Sequence, residues 1–174
     1  MRPWTAERVM GVLRQRFERF GLTLHPEKTR VVPFARPPKG QSGGKGLSTF
    51  DFLGFTHYWR RTQRGAWTNA LKTRTVRLRR AITAVADWCR SHRHEPVKEQ
   101  HAALIRRLKG HYNYFGVNGN IGSLRRLARA TERAWRKWLS RRGDRAPMSW
   151  ARFAELLRAH PLPNPTIRVQ LWTP

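Results

Sequence analysis

The sequence predicts an α+β fold: a small antiparallel β part within residues 1–72, then an α-helical bundle over residues 73–160. Three observations predict it. The stretch from Phe50 to Lys72 is aromatic and β-prone, with a Gly-containing turn inside it. From about Thr73 onward, apolar residues recur at helical spacing. Hydrophobic residues make up 39% of the chain, with eight Trp and eight Phe, enough to build a core.

The elements follow in chain order. Thr5 to Phe20 reads as a helix, because Val9, Leu13, Phe17 and Phe20 fall at helical spacing. Thr5 can cap it, Glu7 suits its first turn and Gly21 its exit. Leu22 to Leu24 and Arg30 to Phe34 read as two short strands joined by a turn, His25-Pro26-Glu27-Lys28. Arg36 to Ser48 is Pro, Gly and Lys with little apolar content, and reads as a mobile loop. Phe50 to Arg60 is the next strand; Thr62-Gln63-Arg64-Gly65 turns it back onto Ala66 to Lys72.

Three long helices follow. Thr73 to Ser91 carries the stripe Leu78, Ile82, Val85, Cys89. The second opens with Pro96 in a first-turn position and carries Val97, His101, Leu104, Leu108, Tyr112 and Phe115. Gly122 to Arg142 carries Leu124, Leu127, Thr131, Trp135, Trp138 and Leu139. Ser149 caps a short fourth helix, Trp150 to Arg158. Residues 161–174 form a Pro-rich tail with room for a short strand, Thr166 to Val169.

Charge narrows the function. The 36 basic and ten acidic residues give a formal net charge of +26; 29 of the basic residues are Arg and seven are Lys. Such a charge opposes compaction unless a polyanion neutralises it. From Thr73 to Arg142 there are 18 basic and four acidic residues. Charged faces that are merely solvated usually mix signs, and this one does not. Nucleic acid, RNA foremost, is the implied partner. No stretch approaches the roughly 18 apolar residues of a membrane span, no signal peptide opens the chain, and no membrane partner is expected. The single Cys89 excludes a disulfide framework, and an intracellular location follows.

Few residues suggest chemistry. The ten carboxylates are scattered, and no adjacent Asp pair exists. No metal site is predicted: His92, His94 and Glu95 are close in sequence, but a loop His pair is ordinarily solvated. Two segments are more informative. Gly110-His111-Tyr112-Asn113-Tyr114-Phe115-Gly116 places four rings within five residues at a helix end. Tyr112 and Phe115 suit the core, while His111, Asn113 and Tyr114 point elsewhere, as a helix terminus or as a surface for stacking and hydrogen bonding to nucleic acid. Phe50-Asp51-Phe52-Leu53-Gly54-Phe55 reads as a short aromatic strand with an interior Gly, either core or a backbone that a ligand approaches closely.

These segments carry a resemblance. Phe20-Gly21-Leu22-Thr23-Leu24-His25-Pro26-Glu27-Lys28-Thr29-Arg30 resembles the sixth conserved block of bacterial group II intron reverse transcriptases. Phe50 to His57 is similar to their seventh block, and Glu99 to Gly116 to their maturase-specific thumb region. The resemblance implies that residues 1–72 are the C-terminal end of the palm with the primer-grip hairpin, and that the helices after it are the thumb, or domain X. It puts the primer grip on Phe52, Leu53, Gly54 and Phe55. Lys28 stands where the family's Lys is proposed to assist the departing pyrophosphate; a charged turn residue is the plainer reading. RNA contact is expected from Arg106, Arg107, Lys109, His111, Asn113 and Tyr114, and from Arg125, Arg129, Arg133 and Arg136 on the following helix.

The implied partners are group II intron RNA and an RNA/DNA template–primer duplex, in the bacterial cytoplasm. The family's Tyr-x-Asp-Asp block would lie N-terminal to Thr5. The chain is thus expected to be a C-terminal portion, with no cofactor of its own and Mg²⁺ only if a polymerase palm completes it. Half of a split polymerase working with an upstream chain, and an RNA-binding remnant, are the alternatives. Polymerisation requires clustered acidic ligands for two metal ions. The purified chain alone is therefore expected not to extend a primer on an RNA template with Mg²⁺. Template-dependent extension that survives removal of contaminating polymerase would overturn this.

Overall fold

The computed structural model describes residues 5–38, 40–41, 47–143 and 147–171. The fold is α+β: five helices and a three-stranded antiparallel sheet in the order β1-β2-β3. The strands are β1 (Thr49–Phe52), β2 (Phe55–Arg61) and β3 (Trp67–Thr73), and the helices are α1 (Ala6–Glu18), α2 (Thr75–Ser91), α3 (Val97–Phe115), α4 (Ile121–Leu139) and α5 (Trp150–Ala159).

Helix α1 ends as Gly21 suggests. Gly21 has φ +67°, and the N–H groups of Gly21 and Leu22 donate to the carbonyls of Glu18 and Phe17, the paired bonds of a left-handed helix exit. Thr5 occupies the cap position, but its side chain makes no capping bond. No residue of α1 is buried, and Val9, Val12, Leu13 and Phe20 remain exposed. Beyond it, Lys28 and Thr29 donate to the His25 carbonyl, so the expected turn is present. The two strands expected at Leu22–Leu24 and Arg30–Phe34 are absent. A strand needs a partner for its backbone groups, and neither segment finds one.

The expected loop from Arg36 to Ser48 lies partly outside the described residues. Its near end is tied to the sheet: Arg36 donates to the Trp67 carbonyl at 2.9 Å, and Trp67 Nε1 donates to the Pro38 carbonyl at 3.1 Å. Phe34 stacks on Trp59, with ring centroids 4.8 Å apart.

The sheet departs from the sequence reading at one point. Phe50 to Arg60 is two strands, folded back on each other by the two-residue turn Leu53-Gly54, with Phe52 opposite Phe55. Leu53 has φ +47° and Gly54 φ +81°. Positive φ at both central residues gives the hairpin turn whose twist matches the strands, and it usually needs Asn-Gly or Asp-Gly. A Leu there stores strain, because its Cβ crowds the following carbonyl.

The helices behave as their stripes predict. α2 and α4 run in the same direction, with α3 antiparallel to both. Near the sheet, Leu78 of α2, Leu108 and Tyr112 of α3, and Leu124 and Leu127 of α4 form one cluster. Further along, Val85, Cys89, Leu104, Trp135 and Leu139 form a second, closed by Phe153 of α5. Full burial of such a side chain is worth roughly 1.5–3 kcal/mol. Ser149 caps α5 as expected, its Oγ accepting from the Arg152 N–H at 3.2 Å. The tail covers the α3–α4 junction without forming the strand expected at Thr166–Val169. It makes an isolated parallel bridge, Val117 to Val169, and Arg168 and Val169 both donate to the Gly116 carbonyl. Among the described residues no helix is long and apolar enough to cross a membrane.

Two buried amides lock this arrangement. Asn120, 1% exposed, accepts from the Thr73 N–H at 2.7 Å and donates to Thr73 Oγ1 and the Phe115 carbonyl, each at 2.8 Å. It thereby joins the last residue of β3, the end of α3 and the start of α4. Gln100, equally buried, accepts from Trp135 Nε1 at 2.9 Å and donates to the carbonyls of Arg93 and Glu95. Arg142 donates to the same two carbonyls. A buried polar group deprived of its partner costs about 1–3 kcal/mol. Asn120→Ala is expected to lower stability by about 3 kcal/mol or more, whereas Asn118→Ala, which loses only the Leu171 N–H, should lower it by less than about 1.5 kcal/mol. Urea denaturation of the two variants measures the difference.

Candidate nucleic-acid interface

A cleft of about 590 Å³ opens where the β1–β2 turn faces the first half of α2 and the end of α3. Leu53 and Gly54 form one wall, Arg77, Arg80, Ala81 and Ala84 the second, and His111, Tyr114 and Phe115 the third. The two segments singled out in the sequence, more than fifty residues apart, therefore meet in one place.

Aromatic packing sets the walls. Phe55 contacts both Tyr114 and Phe115, with centroids 6.0 and 5.2 Å apart, and Phe115 also meets His111 at 4.5 Å. Tyr114 reaches across and donates its hydroxyl to the Leu53 carbonyl at 2.9 Å. A Cβ added to Gly54 would lie 3.4 Å from the Phe115 ring, so glycine serves here both the turn and the close approach. From the other side, the Arg74 N–H donates to the Gly54 carbonyl, and the Arg74 guanidinium pairs with Asp51 at 2.8 Å. Asp51 also accepts from Thr56 Oγ1 at 2.6 Å.

The tip of the turn is left free: Phe52 is 59% exposed and Leu53 66%. The cleft thus has an apolar lip, an aromatic floor and two arginines on the opposite wall. No carboxylate lines it, and neither Arg77 nor Arg80 has an ion-pair partner among the described residues. Burial lowers the pKa of His111 below its ordinary value of 6.5, and its buried Nε2 has no hydrogen-bond partner.

The other residues singled out in the sequence are dispersed. Lys28 lies on its exposed turn and does not line the cleft. Arg106 and Arg107 are exposed, but they share a separate hollow with Glu95 and Glu99, which weaken their field, and Arg107 lies 5.1 Å from the Trp88 ring. Lys109 and Asn113 are exposed on α3, and Arg125, Arg129 and Arg133 form an exposed row along α4. Arg136 is used internally: it donates to the Met148 carbonyl at 2.8 Å and lies 4.0 Å from the Trp150 ring. Tyr114 is likewise engaged with the hairpin, although the residue remains 55% exposed.

Arg77 and Arg80 escaped the sequence reading. The available signal was their position one turn inside α2, directly after the sheet. Among the described residues no three His, Cys, Asp or Glu side chains converge, and Asp51 is committed to Arg74 and Thr56.

Comparison with protein-family models, with curated proteins and with solved structures finds no match to this chain.

The lowered pKa of His111 has a sign that can be tested. The unfolded chain binds a proton at higher pH than the folded one, so this contribution to stability is complete above about 6.5 and is lost as pH falls toward the folded value. His57, also lowered by burial, acts in the same direction. Wild-type stability is expected to fall between roughly pH 7.5 and 5.5. His111→Asn should lessen that fall, and identical pH dependences would contradict the assignment.

Proposed function

We propose that the chain binds RNA in the manner of the C-terminal region of a group II intron reverse transcriptase and maturase. On this reading the β1–β2 hairpin serves as a primer grip and α2–α5 as the thumb and maturase region. Intron RNA and an RNA/DNA template–primer duplex are the ligands, and assistance to splicing and retrohoming is the role.

The observation that carries the proposal is the cleft itself. Two of the segments that bear the resemblance converge there, beside two arginines that form no ion pair among the described residues. Arg guanidinium groups match phosphate geometry and remain charged at any physiological pH. The aromatic floor holds Gly54 and Leu53 in place, the missing Cβ at Gly54 letting the Phe115 ring pack against the turn, and leaves the exposed tip at Phe52 and Leu53 to face a sugar-phosphate backbone. The net charge of +26 supplies the long-range attraction, and release of counterions supplies the salt-dependent part of affinity.

A second reading, half of a polymerase assembled with a partner chain, is favoured by one observation. The apolar side of α1, with Val9, Val12 and Leu13, and Phe20 just beyond its end, is left uncovered. A lone 13-residue helix is marginal in water, and α1 would gain most from a partner.

The test is a titration of RNA against Arg77→Ser/Arg80→Ser. Each lost phosphate contact lowers the slope of log K against log salt by about 0.9. The double variant is expected to lose nearly two units of slope and to bind more weakly, with the melting temperature unchanged because both side chains are exposed. A double variant that binds as wild type places the interface elsewhere, with the exposed row Arg125, Arg129 and Arg133 as the next surface to change.

A further inference from the structure

The pole of the bundle remote from the hairpin carries a second concentration of charge. Around the half-buried ring of Trp138, three exposed cations gather: Arg141 at 5.2 Å from the ring centroid, Lys137 at 5.3 Å and Arg90, from α2, at 5.7 Å. None has a carboxylate within ion-pair distance among the described residues. On the adjoining surface Arg107 is held over Trp88 in the same way.

Resting on the nucleic-acid-binding reading above, we infer that the Trp138 cluster is a second, separate contact for the sugar-phosphate backbone of nucleic acid, built from Arg90, Lys137 and Arg141. Three like charges within about a Debye length of one another repel, and a cation over an indole face is only partly compensated. A phosphate placed among them relieves the repulsion of all three. The ring gives the cations a common anchor, so little side-chain freedom remains to be lost on binding. The indole packs inward on the second core cluster with Trp135 and Leu139, which favours a polyanion over a membrane surface that the ring would have to enter.

Position makes the inference testable. Arg80 and Arg77 of the cleft lie 10 and 13 residues before Arg90 of the Trp138 cluster on the same helix, α2. At about 1.5 Å per residue the two contacts are separated by roughly 15–20 Å. An A-form RNA duplex, with a rise below the roughly 3.4 Å per base pair of DNA, therefore needs roughly five to seven base pairs to span them. Short duplexes occupy one contact; longer ones engage both.

The experiment compares wild type with Arg90→Gln/Lys137→Gln/Arg141→Gln on a short duplex, the stem of about three base pairs of an RNA hairpin, and on a duplex of about 24 base pairs. The triple variant should bind the long duplex roughly tenfold or more weakly and lose about two to three units of salt slope. Binding to the short duplex should change much less. Arg77→Ser/Arg80→Ser, in contrast, should weaken both, so failure of the cleft and failure of this second contact give different patterns. Wild-type affinity and slope of the triple variant on the long duplex would overturn the inference. So would an unchanged affinity for RNA accompanied by lost binding to vesicles rich in anionic lipid. Should the triple variant fail to fold, Arg90→Gln alone decides, with about one unit of slope lost or none.

Discussion

The carboxamide of Asn120 is the point on which sheet, helices and cleft all depend. One side chain satisfies the last backbone N–H of β3, the hydroxyl of Thr73 and the final carbonyl of α3. Those groups come from two elements, β3 and α3, and Asn120 itself opens the third, α4. Because the amide has its donors and acceptor in one plane, the three elements can meet in only one geometry. That geometry sets Phe55 against Tyr114 and Phe115, and so places the hairpin turn over the end of α3. Asn120 also occupies the cap position of α4 without capping it; its side chain is spent on the junction.

The distribution of charge has a similar logic. Two basic–acidic contacts occur among the described residues, Arg74 with Asp51 at 2.8 Å and His92 Nε2 with Glu95 at 3.9 Å. The first of them stiffens the hairpin. Several other arginines are held by carbonyls or rings: Arg142 closes the α2–α3 connection, and Arg136 braces α5 through Met148 and Trp150. Two kinds of arginine therefore coexist on one chain. Some brace the packing of a small domain, and others, such as Arg77 and Arg80, line the cleft without an ion pair among the described residues. Counting basic residues cannot separate these classes.

Much of the bundle was legible in the sequence. The stripes of α2, α3 and α4 place Leu78, Leu104, Leu127 and Trp135 correctly, and the cap at Ser149 announces α5. The failures share a cause. Leu53-Gly54 reads as strand because apolar residues run on through it, and the groups that force the turn, Tyr114 and Arg74, lie far away in sequence. Leu22 to Leu24 and Arg30 to Phe34 have local β character but no strand beside them. Asn120 and Gln100 look like surface residues, since local pattern cannot show that three elements converge on an amide. Within the site, the aromatic end of α3 was legible. Its engagement with the hairpin, and the arginines opposite, required the third dimension.

Gly116 sits where the tail crosses the α3–α4 junction, and an added Cβ would lie 2.3 Å from the Tyr112 carbonyl and 2.9 Å from that of Thr166. The bridge that covers it joins Val117 to Val169, residues 52 positions apart. On a ribosome adding about 5–20 residues per second, that separation amounts to roughly 3–10 s. In the later part of this interval, once Leu139 has been added, all three long helices have been made, while the carbonyl of Gly116 still waits for Arg168 and Val169. The α3–α4 junction is thus completed from the far end of the chain, and the nascent bundle passes through a stage with its cleft side assembled and its back open.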